Sequence, residues 1–404
     1  MNILSIPVYY GLSKPSHGGQ NRYSHLIQQL EKRGNHIIVL EPQEFFDVDD
    51  CKLATVYAYP NYRVFHRGWS FLKDLDIWFI GRLVRILQDE RVDLIAIEYP
   101  SGAFAVKLAT LLTKTNVPIV YSPQNVESDF VREVIQQVDQ FSPFERKIML
   151  PYLTVLEKLT TKYLADRITA VSDEDKNRFC GKYGLDTEKV AVIQSGCELS
   201  NPLDQKTKER FRAEMGLEAD SLIVVFHGSY SHPPNKQAIE AIVNYIAPRF
   251  AHDESIQFVI YGSDVPRFRQ GNVLSLGYVA ELHSALSAAD IALIPITSGG
   301  GTKLKVFDCM NAALPIVTTR KGVQGINLKA DVHALVVERV DDTIIDALTY
   351  LVKDEHARRL IGTNARRLVE EHYNWERIGE KLDRLYREII DSYTDARLRR
   401  KTNE

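Results

Sequence analysis

The stretch Ser298–Thr319, SGGGTKLKVFDCMNAALPIVTT, places three glycines, a threonine and two lysines ahead of an apolar segment that closes in a proline-led β-branched run. Glycines let a backbone approach an anion closely, and a helix N-terminus behind them adds partial positive charge. Lys303 or Lys305 can then neutralise a diphosphate without a metal. The loop is not a Walker A motif, because the spacing GxxxxGK[ST] is absent. Asp308 follows one to two helical turns on, where a carboxylate can accept paired hydrogen bonds from vicinal hydroxyls; a solvated helix face fits it equally. A second pair, Gly18-Gly19 in PSHGGQNRYSHLIQQLEKRGNHIIVL, lies where a strand gives way to a helix and carries the same logic more weakly, a tight turn being the alternative. His17 beside that pair and His227 at a strand end are the histidines placed to face a ligand, whereas His25, His36 and His283 read as packing or surface residues.

Other chemistries find little support. No set of histidines, cysteines or acids has metal-ligand spacing, so no metal is expected. Cys51, Cys180, Cys197 and Cys309 form no CxxC pair, which argues against a disulfide framework and reads as four buried thiols in a reducing compartment. Asp74 and Asp76 of KDLDIW read as an exposed helix face, which leaves no metal-binding DxD and no fixed carboxylate pair.

The elements that must hold these residues follow from short β-rich runs separated by helical stretches. ILSIPVYY, HIIVLEP, DLIAIEYP, PIVYSP, RITAVS and VAVIQSG precede residue 200; LIVVFHG, IQFVIYG, IALIPI, PIVTT and ALVVE follow it. That alternation is the mark of a parallel α/β sheet, and it occurs twice. A polar stretch near 200–220 separates the two series. The expected division is 1–200 and 201–375, with a helix over 376–395 packing back on the first domain and a frayed tail over 396–404. In two doubly wound domains, ligands belong at the carboxyl ends of the strands. The 404 residues carry a net charge of −3 with 25% charged residues, so no global basic field recruits nucleic acid. With no signal-like N-terminus and no apolar run near the roughly 20 residues of a membrane span, a cytoplasmic protein is expected.

The loop GGGTKLKVFDCMNAALPIVTT, taken with FHGSYSHPPNKQAIEAI, LGYVAELHSALSAADIALIPI, DRITAVSDEDKNRF and HYNWERIGEKLDRLY, resembles the retaining GT-B glycosyltransferases of the GT4 type, in motif order and over nearly the whole chain. The resemblance implies two Rossmann-like domains facing across a cleft. It implies a UDP- or GDP-sugar as donor, with no metal, and a glycan, lipid-linked or small-molecule acceptor. Gly18 and Gly19 then match a glycine pair near the donor diphosphate. Gly228, Ser229 and Asn235 match the loop after the first strand of the second domain, and Tyr278 and Val279 of LGYV match a segment against the base. Gly299, Gly300, Gly301, Thr302 and Lys303 match the phosphate loop, and Asp308 stands where the family has a ribose-binding glutamate. His17, Asn125 and Glu127 are implied acceptor or sugar contacts, and Lys303 and Gln124 are the implied catalytic pair.

Three departures qualify that implication. Gly300 replaces the first of the family's two glutamates. Gln124 in Gln124-Asn125-Val126-Glu127 replaces a histidine, so it can hydrogen-bond a hydroxyl but cannot carry a proton. Ser229 stands in place of an arginine, which shifts diphosphate neutralisation to Lys303, Lys305 or Lys236. Two competing expectations therefore remain: a scaffold that binds a sugar nucleotide without turnover, and an epimerase acting on the sugar nucleotide itself.

The segment FHRGWSFLKDLDIWFIGRLVRILQDERVDL spaces Trp69, Leu72, Leu75, Phe79, Leu83 and Ile86 as a helical stripe among basic residues. It fits core packing, and as an alternative a peripheral contact with the inner face of a membrane.

Overall fold

The computed structural model describes residues 1–12, 18–45, 54–60, 74–137, 143–201, 203–218 and 220–403. It divides into two compact units, Met1–Ser195 with Trp375–Glu404, and Gly196–Asn374.

The first unit runs β1 (Asn2–Ile6), α1 (Gly18–Lys32), β2 (His36–Pro42), β3 (Thr55–Tyr59), α2 (Ile77–Asp89), β4 (Leu94–Ile97), α3 (Ala103–Thr113), β5 (Ile119–Tyr121), α4 (Glu127–Gln137), α5 (Pro143–Leu159), β6 (Arg167–Ala170), α6 (Asp173–Tyr183) and β7 (Val190–Val192). Its sheet is parallel throughout, in the order β3-β2-β1-β4-β5-β6-β7. Strands such as LIAI in β4 are buried along their whole length because helices cover both faces, which is why they read as unbroken apolar runs. Phe79, Leu83 and Ile86 of α2 are fully buried in one of these cores, beside Val106 of α3 and Phe179 of α6. That is the core-packing reading of the stripe; Leu75 points outward, and Trp69 and Leu72 lie outside the described residues.

Asp74 and Asp76 are not an exposed helix face. Asp76 caps α2 by accepting from the Trp78 and Phe79 N–H groups, and Asp74 Oδ1 accepts from Phe104 N at 2.8 Å and Ala105 N at 3.2 Å, capping α3 from a distance. Both acids satisfy the open donors of a helix start.

The second unit runs α7 (Gln205–Glu214), β8 (Leu222–His227), α8 (Pro233–Ala241), β9 (Ile256–Tyr261), β10 (Phe268–Gln270), β11 (Val273–Gly277), α9 (Leu282–Ser287), β12 (Ile291–Ile294), α10 (Leu304–Asn311), β13 (Ile316–Thr319), β14 (Leu335–Val337), α11 (Asp342–Lys353) and α12 (Glu355–His372). The order is β10-β11-β9-β8-β12-β13-β14, parallel except for β10 against β11. Cys197 and Cys309 are buried free thiols and Cys180 is partly buried; Cys51 lies outside the described residues.

The last helix, α13 (Trp375–Asn403), belongs to the first unit and packs along α1. Ile378, Leu382, Tyr386 and Ile389 enter the core that holds Tyr23 and Leu26, and the His25 ring stacks on Trp375 at 5.0 Å. The helix continues through Asn403, past the point where the sequence suggests fraying.

Candidate active site

Each sheet reverses its strand order next to its first strand, and the crevice a doubly wound sheet offers to ligands lies there, at the carboxyl ends. In the second unit the reversal falls between β8 and β12. The loops after those strands carry the predicted residues of the Gly228 and Gly299 motifs.

After β8, Gly228 comes so close to its neighbours that a Cβ there would lie 2.5 Å from Lys305 Nζ and 2.7 Å from Asn235 Nδ2. Only glycine fits without displacing one of them. Asn235, near the start of α8, bridges the site: its Nδ2 donates to the Ser229 carbonyl at 2.8 Å, and its Oδ1 accepts from Lys305 Nζ at 2.5 Å. The Ser229 hydroxyl pairs with Ser231 at 2.8 Å.

After β12, Gly299 and Gly301 adopt φ of +88° and +68°, the left-handed region that favours glycine, whereas Gly300 does not. Lys303 turns back on the loop in this arrangement. Its ammonium donates to the carbonyls of Gly299, Gly300 and Gly301 at 3.0, 2.9 and 2.8 Å, so it fastens the loop from within. The Thr302 Oγ1 atom is buried and has no partner among the described residues.

Helix α10 presents the remaining charges. Lys305 lies over the Phe226 ring at 4.4 Å, and burial pulls its ammonium down to about 7. Asp308, one turn further along, is half-buried; burial raises its carboxyl to about 7, with Lys305 opposing. His227 Nε2 lies 3.8 Å from Asp308 Oδ2, and burial followed by the Lys305 charge lowers the imidazole to about 3. That histidine is neutral near pH 7 and cannot form an ion pair with Asp308 there. Tyr278 stands out from the loop after β11, 71% exposed, while Val279 packs against the core.

The first unit reverses between β1 and β4. Tyr10 follows β1, Glu98 directly follows β4 and Gln124 follows β5, and the three meet. Tyr10 donates its hydroxyl proton to Glu98 Oε2 at 3.2 Å; Gln124 Nε2 donates to Glu98 Oε2 at 2.9 Å and to Tyr10 Oη at 3.1 Å. Glu98 is 4% exposed, and burial pushes its carboxyl up to about 7, with the buried Arg22 guanidinium the largest opposing influence.

Glu127 opens α4 but turns inward. Burial, then the neighbouring Glu157, raises its carboxyl well above the usual range, and Asn125 donates to it. Its Oε1 is buried without a partner among the described residues. Glu157, fully buried on α5, accepts from the Glu127 and Ser128 N–H groups at 2.8 and 3.1 Å and caps α4. Gly18 and Gly19 form the first turn of α1. His17 lies outside the described residues. Among the described residues, no group of three or more histidines, cysteines or acids could hold a metal.

Sequence reasoning missed Glu98, Tyr10 and Glu157. The signal for Glu98 was an acid closing an otherwise apolar strand, IAIE; Glu157 sits in an amphipathic helix with nothing to distinguish it from a surface acid.

Two family models match the chain. Glycosyltransferase Family 4 covers residues 17–201, and Glycosyl transferases group 1 covers residues 221–354. Together they take in most of the chain, which belongs to the GT4-like glycosyltransferases and has their two-domain, Rossmann-like GT-B fold. An uncharacterized glycosyltransferase of Methanocaldococcus jannaschii is 25% identical over 57% of this chain and 62% of its own length. The match thus spans less than two thirds of that relative. Among solved structures, the sucrose-phosphate synthase of Thermosynechococcus elongatus aligns with a TM-score of 0.71 at 17% identity, covering 97% of this chain and 99% of that one. Anabaena HepE in complex with UDP-glucose aligns at 0.70 and 15% identity, covering 97% and 100%.

Proposed function

We propose that the protein is a retaining glycosyltransferase of the hexosyltransferase type, using a UDP- or GDP-sugar donor and a glycan, lipid-linked or small-molecule acceptor. The observation that carries this is the convergence, at the β8/β12 reversal, of an anion-compatible loop with one buried ammonium and one carboxylate. The loop supplies the Thr302 hydroxyl, which has no partner among the described residues, and the N-terminus of α10, and Lys305 supplies positive charge beside Asn235. Asp308 on the same helix is the candidate ribose contact. HepE, of the same fold, was solved with UDP-glucose, which favours a uridine nucleotide as the first donor to try.

In this reading Lys305 takes over the arginine that Ser229 replaces, and Lys303 acts one step back by holding the loop in shape. The leaving diphosphate is stabilised by Lys305 and by the dipole of α10 as the anomeric bond breaks, and the acceptor hydroxyl attacks from the face the diphosphate leaves, its proton passing to the departing phosphate oxygen. The catalytic contribution is electrostatic and positional. Gly300 supports the competing reading of a scaffold without turnover, since the glutamate it replaces offered a sugar contact.

Turnover separates the two. Donor sugars incubated with the protein and an acceptor panel should release nucleoside diphosphate only when an acceptor is present, and NMR of the product should show the donor's anomeric configuration kept. Inverted product would refute retention, and tight donor binding without release under any acceptor would favour the scaffold.

A further inference from the structure

Helix α3 has an unusual outer face. Phe104, Leu108, Leu111 and Leu112 share it at helical spacing and are 42%, 44%, 66% and 61% exposed, while Val106 and Ala109 fill the core behind them. No acid occurs anywhere in α3. A helix that is apolar all round is ordinarily buried or held against a non-aqueous phase, and single exposed leucines do not account for a whole stripe.

The stripe is continuous with its neighbours. Asp74 ties the chain before α2 to the first turn of α3, and the two helices pack side by side. Leu75, Ile77 and Trp78, 73%, 73% and 59% exposed, therefore stand next to Phe104. On the other flank the turn that continues α5 packs against α3 and exposes Tyr163.

Lysines predominate around this surface, and the two acids beside Leu75, Asp74 and Asp76, are engaged in capping α3 and α2. Lys107 and Lys114 flank the stripe on α3 and its cap, and Lys158 and Lys162 lie on the segment beside it. None of the four makes an ion pair with the described residues. Glu157, the acid between them in sequence, is buried and saturated by hydrogen bonds, so it does not offset them at the surface. An apolar stripe with aromatic residues at its edge and lysines around it that form no ion pair among the described residues matches an acyl-chain boundary below anionic headgroups. No helix among the described residues is long and apolar enough to cross a membrane, which leaves contact from one side.

We propose that the outer face of α3, with the first turn of α2, docks on an anionic lipid bilayer. The surface is independent of the donor reading. If both hold, the acceptor is lipid-linked and is presented from that bilayer.

The test is flotation of the purified full chain with two kinds of vesicle, phosphatidylcholine alone and phosphatidylcholine with roughly a third phosphatidylglycerol. Wild type should float with the anionic vesicles, at least about tenfold more than with the neutral ones, and about 0.5 M salt should release most of it. The double variant Leu111→Gln, Leu112→Gln should lose about tenfold or more in partitioning. Lys107→Gln with Lys114→Gln should lose binding to anionic vesicles alone. Both variants change exposed positions, and an unaltered urea melt will show that they fold. Failure of wild type to float, or equal flotation of wild type and the leucine variant, overturns the proposal. So does sedimentation as a dimer that the leucine variant dissolves, since the face would then be covered by a second copy of the chain.

Discussion

Gln124 Nε2 lies 2.9 Å from Glu98 Oε2 and also donates to Tyr10, so both amide hydrogens of Gln124 are spent inward. The amide carbonyl remains, able to accept from a hydroxyl but not to donate. Gln124→Leu should therefore lower kcat/KM for a hydroxylated ligand by about 1 to 3 kcal/mol, and it should also cost stability by taking a donor from the buried Glu98 and Tyr10. Steady-state kinetics of the two proteins check this; unchanged kcat/KM would remove Gln124 from the site.

Glu98 adds a pH dependence of defined sign. Its carboxyl is held at about 7 in the folded chain against an ordinary value of 4.5. The contribution to stability is thus fully present below about 4.5 and is lost as pH rises through about 7. At 1.36 kcal/mol for each unit, the loss is about 3 kcal/mol. Urea unfolding at pH 4.5 and at pH 8 should show that Glu98→Gln removes this part of the decline. Identical declines in wild type and variant would mean that Glu98 is ionised throughout.

Lys305 and Lys303 should separate on substitution. Lys305→Ala should weaken binding of a nucleoside diphosphate by about 1 to 3 kcal/mol with little effect on the nucleoside alone. Lys303→Ala should loosen the Gly299–Gly301 turn, weakening the diphosphate and the nucleoside together. Calorimetry with UDP and uridine distinguishes them, and the reverse assignment would restore Lys303 as the direct contact.

Asp308→Ala should weaken nucleoside and nucleotide alike if the carboxylate holds the ribose. Wild-type affinity for uridine in that variant would make Asp308 a helix acid facing His227 and no more.

Gly228→Ala tests the tightness of the same corner. The added methyl meets Lys305 Nζ and Asn235 Nδ2 inside contact distance, so a cost of about 1 to 3 kcal/mol is expected, with the Lys305–Asn235 pair displaced. A thermal melt and a UDP titration read both effects.

The buried parallel strands were legible in the sequence because burial on both faces leaves them as uninterrupted apolar runs. β3 was not: it is an edge strand, four of its five residues are only partly buried, and TVYAY carries neither a run nor a clean alternation. β10 and β11 were missed as well, the first because FRQ is polar and short. The turn at Gly299 and Gly301 was legible because a left-handed backbone leaves glycine behind. The different partners of Lys303 and Lys305 were not, since both are lysines two positions apart and only the folded loop shows which ammonium turns back onto carbonyls. Glu98 and Glu157 were hidden for a related reason: an acid in the sequence does not disclose that its helix or strand end faces inward.

The most direct test is calorimetric titration of the purified protein with UDP, GDP and ADP and their sugar conjugates, without metal and then with magnesium. The account predicts saturable binding of one nucleotide series, at full strength without metal, and weakened in Lys305→Ala. Absence of binding across the panel, or binding that Lys305→Ala leaves intact, would contradict it.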